Sequence, residues 1–282
     1  MIYLEKFTFP SNGEEFEFFR GIKRKCYTSF YPFQVFSYPD RLEIDFKPIT
    51  ILYGGNGSGK STALNVMAEK LKLGRVSVFN RSSFFEDYLD LCQYRLEEAI
   101  STHSTVVTSD DVFDYALNVR HLNLGIDQKR TDMFGEYLDA KFSKFQMKSL
   151  EDYEQLKKVN QSRSKTQSKY VKDNLIDNIR TNSNGENAFA YFQEKVTENG
   201  VFLLDEPENS LSPKMQLKLK AFIEDAARYF GCQIIMATHS PFLLSIEGAK
   251  IYDFDSNPVE IKHWHDLENI RTYYDFFKNL HI

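Results

Sequence analysis

Ile49-Thr50-Ile51-Leu52-Tyr53-Gly54-Gly55-Asn56-Gly57-Ser58-Gly59-Lys60-Ser61-Thr62 is the stretch that decides the fold. Its first five residues form an apolar run of buried-strand length. Ala63 to Leu71 follows with the composition of a helix. Between them, Gly54, Gly59, Lys60 and Ser61 fit G-x-x-x-x-G-K-[ST], the P-loop. Glycines let the backbone curl so that successive amides face one anion. The helix N-terminus adds partial positive charge. Lys60 is placed to reach the β- and γ-phosphates and the Ser61 hydroxyl to ligate Mg²⁺. Gly54, Gly55, Asn56, Gly57, Ser58, Gly59, Lys60, Ser61 and Thr62 are therefore the expected nucleotide-binding residues. A glycine-rich turn would match by chance in about 1 chain in 100 of this length, but not between a strand and a helix. A dinucleotide-binding G-x-G-x-x-G is excluded, because counting from Gly55 and Gly57 puts Lys60 at the third glycine.

The next chemical landmark is Val201-Phe202-Leu203-Leu204-Asp205-Glu206-Pro207. Four apolar residues read as a buried parallel strand. Asp205 emerges at its C-terminal end, where a P-loop also opens, and can hold Mg²⁺ together with Ser61. Glu206 is placed to polarise an attacking water. Many strands end in acids, so the pattern gains its meaning from the P-loop in the same chain. Ser212 then caps a helix that starts at Pro213. Met215, Leu219, Phe222, Ile223, Ala226 and Phe230 give it a packing face, and Gly231 stops it. Gln233 to His239 reads as a strand ending in histidine, and Ser240-Pro241 opens a short helix. A lone histidine is usually structural. At this sheet edge, His239 is instead a candidate γ-phosphate contact.

The flanking regions are less specific. Residues 1–48 read as short strands: Ile2 to Phe7, Phe16 to Phe19, and an alternating Arg41 to Phe46. The aromatics from Tyr27 to Tyr38 are core candidates, one of which could stack on a base. Arg75 to Phe79 reads as a strand, with Arg81 and its serines either in an ordinary loop or near the nucleotide. Residues 86–180 read as mainly helical, with helices over about 109–122, capped by Ser109-Asp110-Asp111, and about 127–146. Ser149 to Asp152 resembles a capping box for a third. Lys157, Lys158, Arg163, Lys165, Lys169 and Lys172 form a basic run, either a solvated tip or a contact for nucleic-acid phosphates.

The 282 residues suit one large α/β domain, or a domain with a sizeable insertion. A net charge of −5 argues against an overall basic nucleic-acid binder, though not against a local patch. Cys26, Cys92 and Cys232 lack metal or disulfide spacing, which fits a reducing compartment. With no signal-peptide pattern and no apolar run long enough to span a bilayer, a soluble cytoplasmic protein is expected, without a membrane partner.

With these landmarks in order, the chain resembles the ABC-type ATPases. It is most similar to the soluble SMC-like and repair-associated heads. The residues that carry this are GGNGSGKST at 54–62, VFLLDEPENSLSP at 201–213 and ATHSP at 237–241. Arg81 to Phe85 and an aromatic helix over Asp266 to Leu280 look like a bacterial group of small stand-alone AAA/ABC ATPases. The resemblance implies an α/β P-loop NTPase fold with a mainly parallel central sheet, an N-terminal antiparallel β-layer and a helical insertion. It implies two core halves, 1–85 and 181–282, flanking an insertion over 86–180. It also points to a signature loop at Asn182-Ser183-Asn184-Gly185-Glu186. There Ser183, Gly185 and Glu186 match LSGGQ or LSGGE, while Asn182 replaces Leu and Asn184 the first Gly. The family's Q-loop glutamine is not evident near 80–85, where Asn80 or Ser82 could substitute.

The implied activity is hydrolysis of ATP with Mg²⁺ in a head-to-tail homodimer. Lys60 would hold phosphates, Ser61 and Asp205 the metal, Glu206 the water and His239 the γ-phosphate. Ser183, Gly185 and Glu186 would close the site of the other subunit. The switch would serve a nucleic-acid-related or antiviral defence process, through DNA or RNA bound at 155–172 or a separate effector or nuclease subunit. The alternatives are an ATP-gated clamp on a protein partner and the energy subunit of a membrane transporter. The weakened signature, the absent glutamine and the long insertion disfavour the transporter.

Overall fold

The computed structural model describes residues 1–23, 26–36, 38–145, 152–178 and 184–280. Along the chain run β1 (Leu4–Thr8), α1 (Asn12–Gly21), β2 (Glu43–Asp45), β3 (Ile49–Tyr53), α2 (Lys60–Lys70), α3 (Phe85–Leu91), β4 (Gln93–Leu96) and β5 (Thr105–Thr108). Then come α4 (Ser109–Phe142), α5 (Tyr153–Ser164), α6 (Gln167–Asn174), α7 (Asn184–Lys195) and β6 (Val201–Asp205). The chain continues with α8 (Pro213–Tyr229), β7 (Gln233–Ala237), α9 (Pro241–Leu244), β8 (Lys250–Asp253), β9 (Glu260–Ile261) and α10 (Glu268–Asn279). Two compact units result: Met1–Phe113 with Asn184–Ile282, and Asp114–Ser183.

In the first unit, six strands form a sheet in the order β5-β6-β7-β3-β8-β9. The strands from β5 to β8 pair in parallel, and β9 is an antiparallel edge. Every residue of β3 and β7 is buried, as an apolar run covered on both faces requires. β3 sits between β7 and β8 although those two are consecutive in the chain. That is a topological switch point, and ligands bind outside the C-terminal ends of strands there. The register pairs Tyr53 with Asp253, Leu52 with Ala237, and Ala237 with Asp205. The loops after β3, β6, β7 and β8 therefore leave from one edge.

A second, antiparallel sheet has the order β2-β1-β4. Gln233, the first residue of β7, ties the two sheets together. Its Oε1 accepts the Tyr3 and Leu4 amides at 2.9 and 2.8 Å, and its Nε2 donates to the Leu4 carbonyl at 2.8 Å. The core between the layers includes Phe7, Ile44, Leu52, Leu64, Phe85 and Ile235. The expected α/β fold, with its mainly parallel sheet and N-terminal antiparallel layer, is present.

Several local expectations are corrected. Phe16 to Phe19 lies in α1 rather than in a strand. Glu14 reaches back to accept the Ser11 amide at 2.9 Å, the N3-to-cap half of a capping box. Short apolar runs suit either state, and the cap decides between them. Arg75 to Phe79 is not a strand; only Gly74 bridges to Thr105, and Val76 and Val78 are 76% and 94% exposed. The two helices expected over 109–146 are one continuous α4, since no proline or cap interrupts it. Its cap is Thr108 rather than Ser109: Asp111 accepts the Thr108 amide at 2.8 Å and hydroxyl at 3.0 Å. Residues 93–96 and 105–108 are strands within a stretch that reads as helical. The capping box at Ser149 to Asp152 lies outside the described residues up to 151.

The second unit packs Met133, Tyr137, Tyr170 and Val171 into a small core of its own. Thr166 caps α6 by accepting the Lys169 amide. The basic run is spread over α5 and α6 and is partly paired. Lys165 meets Asp173 at 2.7 Å, Lys158 meets Glu136 at 3.8 Å, and Arg163 donates to the Ser143 carbonyl at 2.8 Å.

Candidate functional site

The loop Gly54–Gly59 joins the end of β3 to the start of α2. Gly59 precedes α2 with φ +95°, and a Cβ there would lie 2.8 Å from the Phe36 ring. Only glycine suits both demands. Lys60 is buried and curls back beneath the loop, donating to the Gly54 and Gly55 carbonyls at 2.8 Å each. Ser58 Oγ is buried inside the loop without a hydrogen-bond partner among the described residues. Thr62 accepts from the Tyr31 hydroxyl at 3.1 Å, which fixes the first turn of α2 from outside. Asn56 and Gly57 are exposed at the tip. The loop thus joins a buried cation to the N-terminus of a helix whose first amides lack intrahelical acceptors.

Ser61 and Asp205, far apart in sequence, meet across the β3–β6 edge: the hydroxyl donates to Asp205 Oδ1 at 2.9 Å. Burial pushes the Asp205 carboxyl up to about 6; the Ser61 hydrogen bond opposes this and Glu206 adds to it. One hydroxyl and one carboxylate are hard oxygen donors. Mg²⁺ takes one or two such protein ligands beside phosphate oxygens, so the pair fits this ion.

Glu206 has φ +47°, a left-handed conformation that is uncommon for a side chain of this size. Its amide donates to the Ala237 carbonyl at 2.9 Å, and its Oε2 accepts from Asn209 Nδ2 at 2.8 Å. The strained turn is held at both ends. His239 follows β7 with its side chain 45% exposed. Its carbonyl accepts from Asn269 Nδ2 at 2.8 Å.

The remaining expected residues fall elsewhere. Ser183 lies outside the described residues, as does Asn182. Gly185 and Glu186 occupy the first turn of α7, where a Cβ on Gly185 would have Met215, Ser210 and Ser212 as its nearest neighbours. Gly185 therefore stands at the start of α8. Arg81 pairs with Glu86 and, at 3.7 Å, with Glu69. Ser82 donates to the Tyr31 carbonyl and accepts the Phe84 amide at 3.1 Å. In this structure the Ser82 hydroxyl, one of the two candidates for the glutamine's place, is engaged by these local bonds.

Four residues of this edge carry no clear sequence signal. Glu208 is buried beneath His239, and its position as the second acid of Glu206-Pro207-Glu208 is the one hint. Asn209 holds Glu206. Asp255 accepts the Gly55 amide. Asn269 links α10 to the His239 carbonyl, while its amide donates to the Tyr53 hydroxyl at 3.1 Å.

Comparison with known proteins follows the same lines. A family profile described as "AAA domain, putative AbiEii toxin, Type IV TA system" matches residues 71–245. No curated protein sequence matches. Among solved structures, the Smc head domain of Pyrococcus furiosus, with an extended coiled coil and bound to the C-terminal domain of ScpA, is similar at 12% identity over 100% of both chains, TM-score 0.44. "An inward-facing conformation of a putative metal-chelate type ABC transporter" is similar at 14% identity over 97% of this chain and 90% of that one, TM-score 0.44. The SMC head domain of Thermotoga maritima is similar at 13% identity over 89% and 94%, TM-score 0.40.

Proposed function

Because the chain belongs to this AAA-domain family and is a P-loop domain of the ATPase type, we propose that it binds ATP with Mg²⁺ and hydrolyses it. The observation that carries the reading is the Ser61–Asp205 hydrogen bond of 2.9 Å, made at the strand edge that also presents Lys60, Glu206 and His239. Lys60 and the 54–62 backbone hold the phosphates. Ser61 and Asp205 would hold the metal, which would supply charge neutralisation for the phosphates. Glu206 orients a water and takes its proton as that water attacks the γ-phosphorus, while the bond from that phosphorus to the β,γ-bridging oxygen breaks and ADP leaves with the electron pair. His239 contacts the γ-phosphate. The chemistry is mainly positioning and charge stabilisation.

Phosphate release with Mg²⁺-ATP tests this. Lys60→Ala is expected to lose binding. Glu206→Gln is expected to bind ATP but turn over about 100-fold more slowly, or worse. Wild-type turnover in Glu206→Gln would sink the reading.

The same reading extends to an ATP-driven homodimer in which Ser183, Gly185 and Glu186 of one copy close the P-loop of the other. The placement of Gly185 and Glu186 on a helix N-terminus supports it, since that end can add donors to an anion. Glu206→Gln with ATP should elute as a dimer in sizing experiments, and a persistent monomer would count against it. The family's description names a "putative AbiEii toxin, Type IV TA system", and in keeping with that we extend the proposal to a defence role, with a separate effector or nuclease subunit as its further, untested part. Nucleic acid bound at 155–172 is tested by salt-sensitive binding that is lost on neutralising Lys157, Lys158 and Lys165.

One observation favours the second reading, an ATP-gated clamp on a protein. α10 buries none of its residues and exposes Tyr274, Phe276 and Phe277 by 64%, 57% and 50%. Turnover measured with and without nucleic acid separates the two. Among the described residues, no helix is long and apolar enough to cross a membrane.

A further inference from the structure

Resting on the hydrolytic reading above, we propose that Glu208 is a positioning residue for His239, setting both the backbone turn that carries it and the ring nitrogen it presents. The Glu208 side chain is 5% exposed. Its Oε1 accepts three hydrogen bonds: from Thr238 Oγ1 at 2.7 Å, the His239 amide at 2.9 Å and the Ser240 amide at 3.2 Å. His239 Nδ1 lies 3.3 Å from the same oxygen. Oε2 is buried and has no hydrogen-bond partner among the described residues.

A carboxylate is costly to bury unless donors surround it. Here every donor comes from residues 238–240, so this turn is folded around one oxygen atom. The oxygen is delivered from the loop after β6, which follows directly on Asp205 and carries Glu206. Glu208 therefore fixes the ends of β6 and β7 relative to each other at the point where their side chains must meet one phosphate. With Nδ1 turned toward the carboxylate, Nε2 is the nitrogen left for the nucleotide. A carboxylate oxygen 3.3 Å from one ring nitrogen favours that ring orientation. Side-chain packing alone would not need all three donors to converge, nor an acid to receive them.

The test uses the full chain and two readouts. The first is amide hydrogen exchange without nucleotide. Glu208→Ala should speed exchange at residues 238–240 by about 10-fold or more, with the rest of the chain unchanged. Unchanged exchange there, or loosening throughout the chain, overturns the proposal. The second is steady-state ATP hydrolysis. Glu208→Ala should lower kcat about 10- to 100-fold at unchanged KM. Combined with His239→Ala it should add less than about 2-fold, because the two residues act as one unit. A fully additive loss overturns the proposal.

Glu208→Gln keeps an acceptor oxygen and carries the test should the alanine variant not fold. It should retain protection at 239 and 240 and lose no more than about 5-fold in kcat. Retained protection with turnover as low as in His239→Ala would overturn a positioning role. Should His239→Ala turn over like wild type, the reading of His239 and the role of Glu208 fall together. Should it be slow while both Glu208 variants are not, only the present inference falls.

Discussion

The Asp255 carboxylate accepts the amide hydrogen of Gly55, its two oxygens 2.9 and 2.8 Å from that nitrogen. A negative charge therefore sits on the outer lip of the loop proposed to receive a polyanion. It is held from behind, since the Asp255 amide donates to Asp253 Oδ1 at 3.0 Å and Asp253 pairs with Lys262 at 2.6 Å.

Asp255→Asn keeps an acceptor for Gly55 and removes the charge. ATP is expected to bind about 2- to 5-fold more tightly at low salt, with the gain shrinking as ionic strength rises. Calorimetric titration at two salt concentrations checks this. Weaker binding would show that bracing the loop outweighs the repulsion.

Asp205 predicts an acid-side gain in stability. Its carboxyl is raised from 3.8 to about 6 in the fold, so between those values the folded chain holds more protons than the unfolded one. Stability from this group is then lost as pH rises from about 4 to 6, by roughly 2–3 kcal/mol, and stays low above that. Asp205→Asn should be about 2 kcal/mol more stable than wild type at pH 7.5 without nucleotide, and nearly equal to it at pH 4. Urea unfolding at the two pH values measures the difference. The same variant should lose Mg²⁺-dependent nucleotide binding.

Gly59→Ala combines a φ of +95° with a Cβ 2.8 Å from Phe36. A cost of about 2 kcal/mol or more in unfolding free energy is expected, with ATP affinity falling at least about 10-fold. Denaturant midpoints and nucleotide titration report the two losses separately.

Gln233→Ala should leave the Tyr3 and Leu4 amides buried without acceptors. A loss of about 2–4 kcal/mol is expected. Thermal unfolding checks the cost. An effect below about 0.5 kcal/mol would mean that water replaces the side chain.

β3, β6 and β7 are legible in the sequence because strands buried on both faces are mostly apolar. α2 and α8 are legible from their starts, Gly59-Lys60 and Ser212-Pro213. β5 and β8 are not, since Thr105 to Thr108 and Lys250 to Asp253 are four residues each and become strands only through their neighbours. α1 is misread because Phe16, Phe18 and Phe19 suit two periods, and Glu14 settles the choice. The P-loop, Asp205 and His239 announce themselves at strand ends. Glu208 and Asp255 do not, because their meaning lies in contacts with residues 30 and 200 positions away. Arg81, near the expected site in sequence, spends its charge on Glu69 and Glu86.

The Ser61–Asp205 bond also has a schedule. Its partners are 144 residues apart, and a ribosome adding about 5–20 residues per second separates them by roughly 7–30 s. β3 is made first, yet both strands that flank it in the sheet, β7 and β8, are made later than Asp205. Throughout that interval the apolar segment Ile49 to Tyr53 lacks both strands that flank it in the fold. An apolar segment without its neighbours is exposed to misassociation, so the interval between Tyr53 and Gln233 is expected to be the vulnerable one. Translation pauses between Tyr53 and Gln233 should therefore lower soluble yield more than pauses after Asp253.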